Sequence, residues 1–136
     1  MTAMVKTFCS SRRFTGNLYV VHSEKGTIVI DPGYYDSEIR EYLMKIGGLD
    51  AILLTHGHWD HISGLDSLKA DFPEAPVYIY EDDIDFLQEP NLNCSVTNFF
   101  RLVLHSEAEA VTEGELDIGA YHIQVIHTPG HTKGHV

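Results

Sequence analysis

Residues 51–61 read AILLTHGHWDH, an apolar run followed at once by three histidines and one aspartate within six positions. Imidazole nitrogens and carboxylate oxygens are ligands that suit Zn²⁺ and neighbouring ions such as Mn²⁺ and Fe. His56 and His58 are two residues apart, so in extended backbone both side chains project to one side and can close on one ion. Asp60 and His61 follow across a turn that leads into a helix, and their side chains can reach the position of a second metal ion beside the first. The segment therefore predicts a metal site at the end of a strand, with a solvated histidine-rich surface turn as the alternative.

The motif HGHWDH resembles the His-x-His-x-Asp-His signature of the metallo-β-lactamase superfamily. Two further segments, IVIDPG at residues 28–33 and TPGHTKG at residues 128–134, are similar to other motifs of that superfamily and come in its order. The resemblance implies that three histidines hold the first metal: His56, His58 and His131. It assigns Asp60 and His61 to the second metal. Asp31 is expected to brace the metal-bearing loop from behind the ligands.

The resemblance also implies the fold, an αβ/βα sandwich of two similar halves in the α/β (α+β) class. In the family, an aspartate that bridges the metals and a final histidine follow the Thr-Pro-Gly-His segment. Residues 1–136 therefore resemble one C-terminally incomplete domain, the first half plus the start of the second. His135 is the only histidine after His131, and its position suits the start of the next element better than a ligand. We expect at most one tightly held metal per chain.

Metal-dependent hydrolysis is the function that the resemblance implies, with a metal-bound hydroxide attacking an ester, thioester, lactone or amide. The expected cofactor is zinc, with Fe and Mn as alternatives, as one or two ions. Asp60 is the candidate catalytic residue, which orients the hydroxide and shuttles its proton. The motifs are similar to those of glyoxalase II-like hydrolases, which favours a thioester substrate. Little hydrolytic activity is expected of the short form.

Two alternatives to the hydrolase stay open at this point. A redox member of the fold, of the flavodiiron type, would carry a carboxylate in place of His58. The other alternative is a metal-binding fragment that does not turn over substrate. Half a sandwich also predicts an exposed sheet face, covered by self-association, by a partner chain or by a C-terminal region.

The composition predicts one domain in a reducing compartment. The chain has 136 residues, 43% of them hydrophobic, which is enough for one core. A net charge of −11 with only nine Lys and Arg argues against nucleic acid or an anionic membrane as partner and leaves a small-molecule substrate. Cys9 and Cys94 have no closely spaced partner. Neither a signal peptide nor an apolar segment of membrane length is visible, so a cytoplasmic location is expected.

Local patterns predict β-hairpins first and alternating helices and strands afterwards. Strands are predicted at residues 4–9, 17–22, 27–31, 51–55, 77–80 and 121–126, and Gly26 supplies the positive φ of a hairpin turn. One helix is predicted from Asp36 or Ser37 to the pair Gly47 and Gly48. A second is predicted from about Ile62 to Phe72, and a helical turn or two at residues 81–87.

Other chemistry-bearing residues are interpreted as structural. The acidic cluster Glu81, Asp82, Asp83 and Asp85 is typical of a solvated helix start, where the helix dipole favours negative charge. Trp59 either lines a substrate pocket or wedges the metal loop against the core. His127 is expected to pack on a strand face, with a contact to ligand or substrate as the alternative.

Overall fold

A six-stranded mixed sheet forms the frame of the chain in the computed structural model, which describes residues 2–10 and 15–136. Its strands lie in chain order: β1 Met4–Phe8, β2 Leu18–Ser23, β3 Gly26–Ile30, β4 Ala51–Leu53, β5 Val77–Tyr80 and β6 Glu109–Val111. The first three strands are antiparallel, and β3 to β6 run parallel. A second sheet consists of the antiparallel pair β7 Gly114–Ile118 and β8 Tyr121–Val125.

The predicted hairpin is confirmed as β2 and β3, joined between Ser23 and Gly26. Gly26 has φ +126°, a conformation that residues with a side chain rarely adopt. A Cβ at this position would also lie 2.6 Å from the Asp50 carboxylate. That carboxylate accepts the Thr27 N–H at 2.7 Å, so the turn is held against the start of β4.

The first predicted helix is confirmed as α1, Ser37–Lys45. Asp36 caps it, because its side chain accepts the Ile39 N–H at 3.0 Å. Ile39 and Leu43 lie four residues apart on one face of the helix and are fully buried. Gly47 and Gly48, both with φ +106°, end the helix.

The second predicted helix is wrong in its bounds, because the chain forms two short helices, α2 Trp59–Ile62 and α3 Leu65–Asp71. The break falls at Gly64, whose N–H donates to the Pro32 carbonyl at 2.8 Å. A Cβ on Gly64 would lie 2.5 Å from the Tyr34 carbonyl carbon. The bend therefore comes from close packing on the loop after β3, which brings the metal motif against Asp31.

Residues 81–87 form the 3₁₀ helix Glu81–Leu87, which confirms the predicted helical turns, and a second 3₁₀ turn spans Val96–Asn98. Two strands were not predicted. β6 has only three residues, two of them exposed, which is too short to show an alternation. β7 does alternate exposed Glu115 and Asp117 with Leu116 and Ile118, and the sequence interpretation missed this pattern.

Apolar residues form two clusters on opposite faces of the main sheet. The larger cluster lies between the sheet and the helices and includes Val29, Ile52, Leu65 and Leu68. The smaller one lies between the two sheets around Ile28, Ala51 and Ile118. Part of the face that was expected to be exposed is therefore covered by β7 and β8. A groove of about 390 Å³ remains there, lined by Ile30, Leu53 and Tyr78 among others.

No helix in the described part of the chain is long and apolar enough to cross a membrane.

Candidate metal centre

Asp31 anchors the loop that follows β4. It lies at the end of β3 with φ +53° and is 3% exposed. Its carboxylate accepts the Thr55 N–H at 2.7 Å and the Thr55 hydroxyl at 2.5 Å. Because that hydroxyl proton goes to Asp31, the His56 Nδ1–H donates to Thr55 Oγ1, at 2.9 Å. The hydrogen-bond series from His56 through Thr55 to Asp31 thus places the proton of His56 on Nδ1 and the lone pair on Nε2. This is the tautomer that a metal needs for binding at Nε2.

Three histidines from two distant segments converge in front of this anchor. His58 Nδ1 lies 3.0 Å from His131 Nε2. Ligand atoms of His56, His58 and His131 all lie within 4.8 Å of one another. His56 Nε2 is buried and has no hydrogen-bond partner among the described residues. Ligands of a tetrahedral zinc ion are about 3.3 Å apart, so the cluster has the nitrogen donors, the spacing and the unpartnered buried atom that fit such an ion.

Asp60 and His61 lie beside this cluster. His61 Nδ1 donates to Asp31 Oδ2 at 2.9 Å, and its Nε2 lies 3.6 Å from Asp60 Oδ2. The His56 and His61 rings are 4.2 Å apart between centroids. Asp31, His56 and His61 form a second convergent group, but the hydrogen bonds to Asp31 support its predicted bracing role. The assignment of Asp60 and His61 to a second ion stays a prediction.

Two glycines permit the close packing around this pair. A Cβ on Gly16 would lie 2.8 Å from the His61 ring, and one on Gly33 would lie 1.9 Å from the Asp60 carbonyl oxygen. The Gly16 N–H also donates to that carbonyl at 2.9 Å. The Asp60 backbone is therefore enclosed by two segments that precede it in the chain by more than twenty residues.

Burial favours the neutral form of two histidines of the cluster, His56 and His58. Burial, together with the neighbouring His61, lowers the pKa of His56 from 6.5 to about 3. Burial and the nearby His131 also lower the pKa of His58. Burial alone would lower the pKa of His61, but the hydrogen bond to Asp31 and the charges of Asp31 and Asp60 raise it. Neutral imidazole is the form that binds a metal, so His56 stays available as a ligand in mild acid.

The metal-free protein is expected to lose stability as the pH falls from roughly 6.5 towards 4.5. In that window the unfolded chain protonates His56, whose ordinary pKa is 6.5, whereas the folded chain does not. The raised pKa of His61 has the opposite effect on stability, because protonated His61 stabilises the folded chain. That stabilisation is fully present below pH 6.5 and is lost only at higher pH, so it does not change within this window. Urea unfolding at several pH values, with chelator present, should show this loss in the wild type and a weaker one in His56→Gln. Equal slopes for both proteins would contradict it.

His131 lies on an irregular segment after β8, residues 126–136, that folds back on the metal loop. The Val136 N–H donates to the Thr55 carbonyl at 3.0 Å. His127 stacks on Tyr80 with ring centroids 4.2 Å apart, and its Nε2 donates to the Lys133 carbonyl at 2.6 Å. His127 is thus a packing residue, as expected.

His135, which the sequence favours as the start of a new element, lies beside the site instead. Its ring centroid is 5.0 Å from that of His56, and its Nδ1 is 2.9 Å from Thr128 Oγ1. The local backbone turns back here, with the Thr128 N–H donating to the His135 carbonyl at 2.8 Å. The start of a new element at His135 stays a prediction.

Asp83 is the functional-site residue that the sequence interpretation missed. Glu81, Asp82 and Asp85 are exposed, but Asp83 is 0% exposed, so the interpretation of a solvated acidic cluster is wrong for this residue. Its carboxylate accepts hydrogen bonds from Gly57, Thr132 and Gly134. The local sequence carries no signal that separates Asp83 from its acidic neighbours, because all of its partners are distant in the chain.

The Trp59 side chain is half-buried and lies on a groove rather than within the apolar cluster, and its contact with a substrate stays a prediction. The backbone N–H of Trp59 donates to the Asn93 carbonyl at 2.8 Å, which connects the metal loop to the segment after the first 3₁₀ helix. Its ring meets Phe100 edge-on, with centroids 5.1 Å apart. Trp59, Phe100 and Tyr34 line a groove of about 740 Å³ beside the metal loop.

The three motifs and their geometry agree with comparisons to known proteins. The family model of the metallo-beta-lactamase superfamily matches residues 11–136. The chain therefore belongs to the metallo-β-lactamase superfamily. It is 35% identical over 123 residues to the probable metallo-hydrolase YqgX of Bacillus subtilis (strain 168), an alignment that covers 88% of this chain and 58% of the relative. It is 34% identical over 121 residues to a hydroxyacylglutathione hydrolase of Francisella philomiragia, an alignment that covers 87% of this chain and 40% of the relative.

Solved structures show the same fold. The BLEG-1 B3 metallo-beta-lactamase superposes with a TM-score of 0.80 at 32% identity, over 97% of this chain and 65% of that one. TTHA1623, solved in a di-iron-bound form, superposes with a TM-score of 0.72 at 26% identity, over 93% and 63%. The predicted first half of an αβ/βα sandwich, with the start of the second, is confirmed. The chain spans less than two thirds of the length of each of these relatives.

Proposed function

We propose that this chain carries the metal-binding part of a zinc-dependent hydrolase that acts on a thioester or a related ester, lactone or amide. The observation that carries the proposal is the convergence of His56, His58 and His131, with a buried, unpartnered Nε2 on His56. Three imidazole nitrogens suit Zn²⁺ or Fe better than Mn, and Zn²⁺ is proposed because three histidines with an open fourth position form a ligand set of catalytic zinc. A bound Zn²⁺ supplies Lewis-acid chemistry, since it lowers the pKa of coordinated water to about 7 and polarises a carbonyl.

The protein's own residues supply orientation and proton transfer. Asp60 lies at the edge of the histidine cluster, with Oδ2 3.6 Å from His61 Nε2. A carboxylate there accepts a proton from an attacking water at Oδ2 and holds that water in line with the substrate carbonyl. Asp31 fixes His61 through Nδ1, which keeps Nε2 directed towards Asp60.

The substrate proposal rests on the groove beside the metal loop and on the relatives. Trp59, Tyr34 and Phe100 offer aromatic surface for the acyl part of a small molecule. The hydroxyacylglutathione hydrolase relative supports a thioester as the first class to test. The net charge of −11 supports a small-molecule partner over nucleic acid or an anionic membrane. The same proposal includes a cover for the groove between the sheets, supplied by self-association or by a further segment. It also includes a cytoplasmic location.

Hydrolysis of a thioester, lactone and ester panel tests the proposal, assayed on the zinc-loaded chain and on a form extended at its C-terminus to the length of its relatives. Hydrolysis is expected mainly of the extended form, in which the variants are compared. Asp60→Asn is expected to lower kcat/KM by about 10²- to 10⁴-fold, the usual contribution of general acid–base catalysis, while zinc content is kept. Asp117→Asn is the matched control, since Asp117 is exposed on β7 and pairs with His122. Hydrolysis that survives zinc removal, or that Asp60→Asn leaves unchanged, would contradict the proposed mechanism.

A metal-binding chain without turnover is the second candidate. The observation that favours it is coverage, since the chain spans 58% and 40% of the two curated relatives. The same panel separates the two candidates, because the second predicts retained zinc and no hydrolysis of any substrate.

A further inference from the structure

We propose that Asp83 is a positioning residue that holds the His131 segment against the His56–His58 loop and thereby sets the metal affinity of the three-histidine site. The inference rests on the proposed metal site and adds to it a residue outside the three superfamily motifs. Asp83 would contact no metal and no substrate. It acts through the backbone of both ligand-bearing segments.

The hydrogen bonds of Asp83 join the two segments directly. Its Oδ2 accepts the Gly57 N–H at 3.0 Å and the Thr132 hydroxyl at 2.7 Å. Its Oδ1 accepts the Gly134 N–H at 2.8 Å. Gly57 lies between His56 and His58, and Thr132 directly follows His131. A single carboxylate therefore spans the two halves of the ligand set.

The His131 segment needs such a connection because little else fixes it. Residues 126–136 contain no helix or strand, and the His131 side chain is exposed. Apart from contacts among the site histidines, the other attachments that the structure describes are the Val136 N–H bond to Thr55, the His127 N–H bond to Glu113 and the stacking of His127 on Tyr80. These lie four or five residues from His131, whereas Thr132 is adjacent to it.

The approach of the 3₁₀ helix Glu81–Leu87 to both segments is close enough to require glycine. A Cβ on Gly134 would lie 2.7 Å from Asp83 Oδ1, and a Cβ on Gly57 would lie 2.3 Å from the Phe86 Cβ. The glycines of the two motifs thus make room for this helix. Asp83, fully buried, takes the position where both backbones come within hydrogen-bonding distance.

An ionised carboxylate is the side chain that this position requires. All three partners can donate, and two of them are backbone N–H groups that can only donate. Asparagine has almost the same shape but carries one NH₂ group. Whichever way its amide turns, that NH₂ faces the N–H of Gly57 or of Gly134, and a buried donor is left without an acceptor. Asp83→Asn therefore loosens one segment relative to the other with little change in side-chain volume.

The experiment compares the Zn²⁺ affinity of Asp83→Asn and wild type by competition with a chromophoric chelator, and their Co²⁺ absorption spectra. Asp83→Asn is expected to weaken Zn²⁺ binding by roughly 10- to 100-fold, the range for residues that orient metal ligands, and to alter the Co²⁺ ligand-field bands. Asp82→Asn, a neutralised exposed neighbour, and Leu68→Ala, a buried change in α3, are the controls. Both are expected to bind Zn²⁺ within about twofold of wild type, although Leu68→Ala lowers stability by leaving a cavity in the core.

A second pair of variants covers the case in which Asp83→Asn fails to fold. Thr132→Val removes one donor and is expected to weaken Zn²⁺ binding several-fold, and Thr132→Ser keeps the hydroxyl and should restore it. If folded Asp83→Asn had the Zn²⁺ affinity and Co²⁺ spectrum of wild type, the role of Asp83 would be overturned and the metal site would stand. If Asp83→Asn does not fold, the same result in Thr132→Val would overturn it. A wild-type protein that binds no more Zn²⁺ than His56→Ala would overturn the metal site and this inference together.

Discussion

Replacing His56 with alanine is expected to lower the affinity for Zn²⁺ by on the order of 100-fold or more, because even residues that only orient a ligand contribute 10- to 100-fold. The physical reason is the geometry of the cluster. His56 offers a buried Nε2 that has no hydrogen-bond partner in residues 2–10 and 15–136, and its pKa is lowered to about 3, so it is a neutral and available ligand at pH 7. Zinc content after dialysis, and competition with a chelator, measure the effect.

Two further histidine variants make this result specific. His131→Ala removes an exposed side chain, leaves no cavity in the core, and is expected to reduce affinity to a similar extent. His122→Ala, in which an exposed histidine that pairs with Asp117 is lost, should leave affinity unchanged. Full zinc content in His56→Ala would show that the metal is held elsewhere.

Replacing Gly33 with alanine is expected to destabilise the fold by about 3 kcal/mol, at the upper end of the cost of overpacking. A Cβ at this position would lie 1.9 Å from the Asp60 carbonyl oxygen, and a backbone atom cannot move aside as the end of a flexible side chain can. The Gly33 N–H donates to the Asp31 carbonyl at 2.8 Å, so the turn itself is also fixed. The free energy of unfolding in urea measures the effect.

Gly119→Ala is the matched control. Gly119 has φ +56°, and the nearest atom to a Cβ there is 3.9 Å away, so only backbone conformation opposes the change, at a cost of about 1 kcal/mol. If both variants lost the same stability, close packing of the turn on Asp60 would not be the reason that Gly33 is required.

The sequence predicted the parts of the fold whose cause is local. The hairpin of β2 and β3 follows from Gly26 between two β-type runs, and α1 follows from a capping Asp36 and buried Ile39 and Leu43. The second helix was predicted in one piece because its apolar spacing continues through Gly64. Its break depends on Tyr34, thirty residues earlier, which no local window contains.

The same distinction holds for the candidate site. By itself, the sequence predicted the candidate donors His56, His58, Asp60, His61 and His131, since ligand chemistry resides in residue type and close spacing. It also determined the family, through three motifs in one order.

Only the tertiary structure decided how those donors are held. Thr55 reaches Asp31 across 24 residues, and Asp83 reaches Gly57 across 26 residues and Gly134 across 51. Asp82 and Asp83 are adjacent aspartates that the sequence of the acidic run does not distinguish. Asp82 is nevertheless exposed, whereas Asp83 is buried and accepts three hydrogen bonds. The physical reason is that burial and hydrogen-bond partnership belong to pairs of segments brought together by folding, and a carboxylate becomes a structural anchor only where donors from elsewhere in the chain meet it.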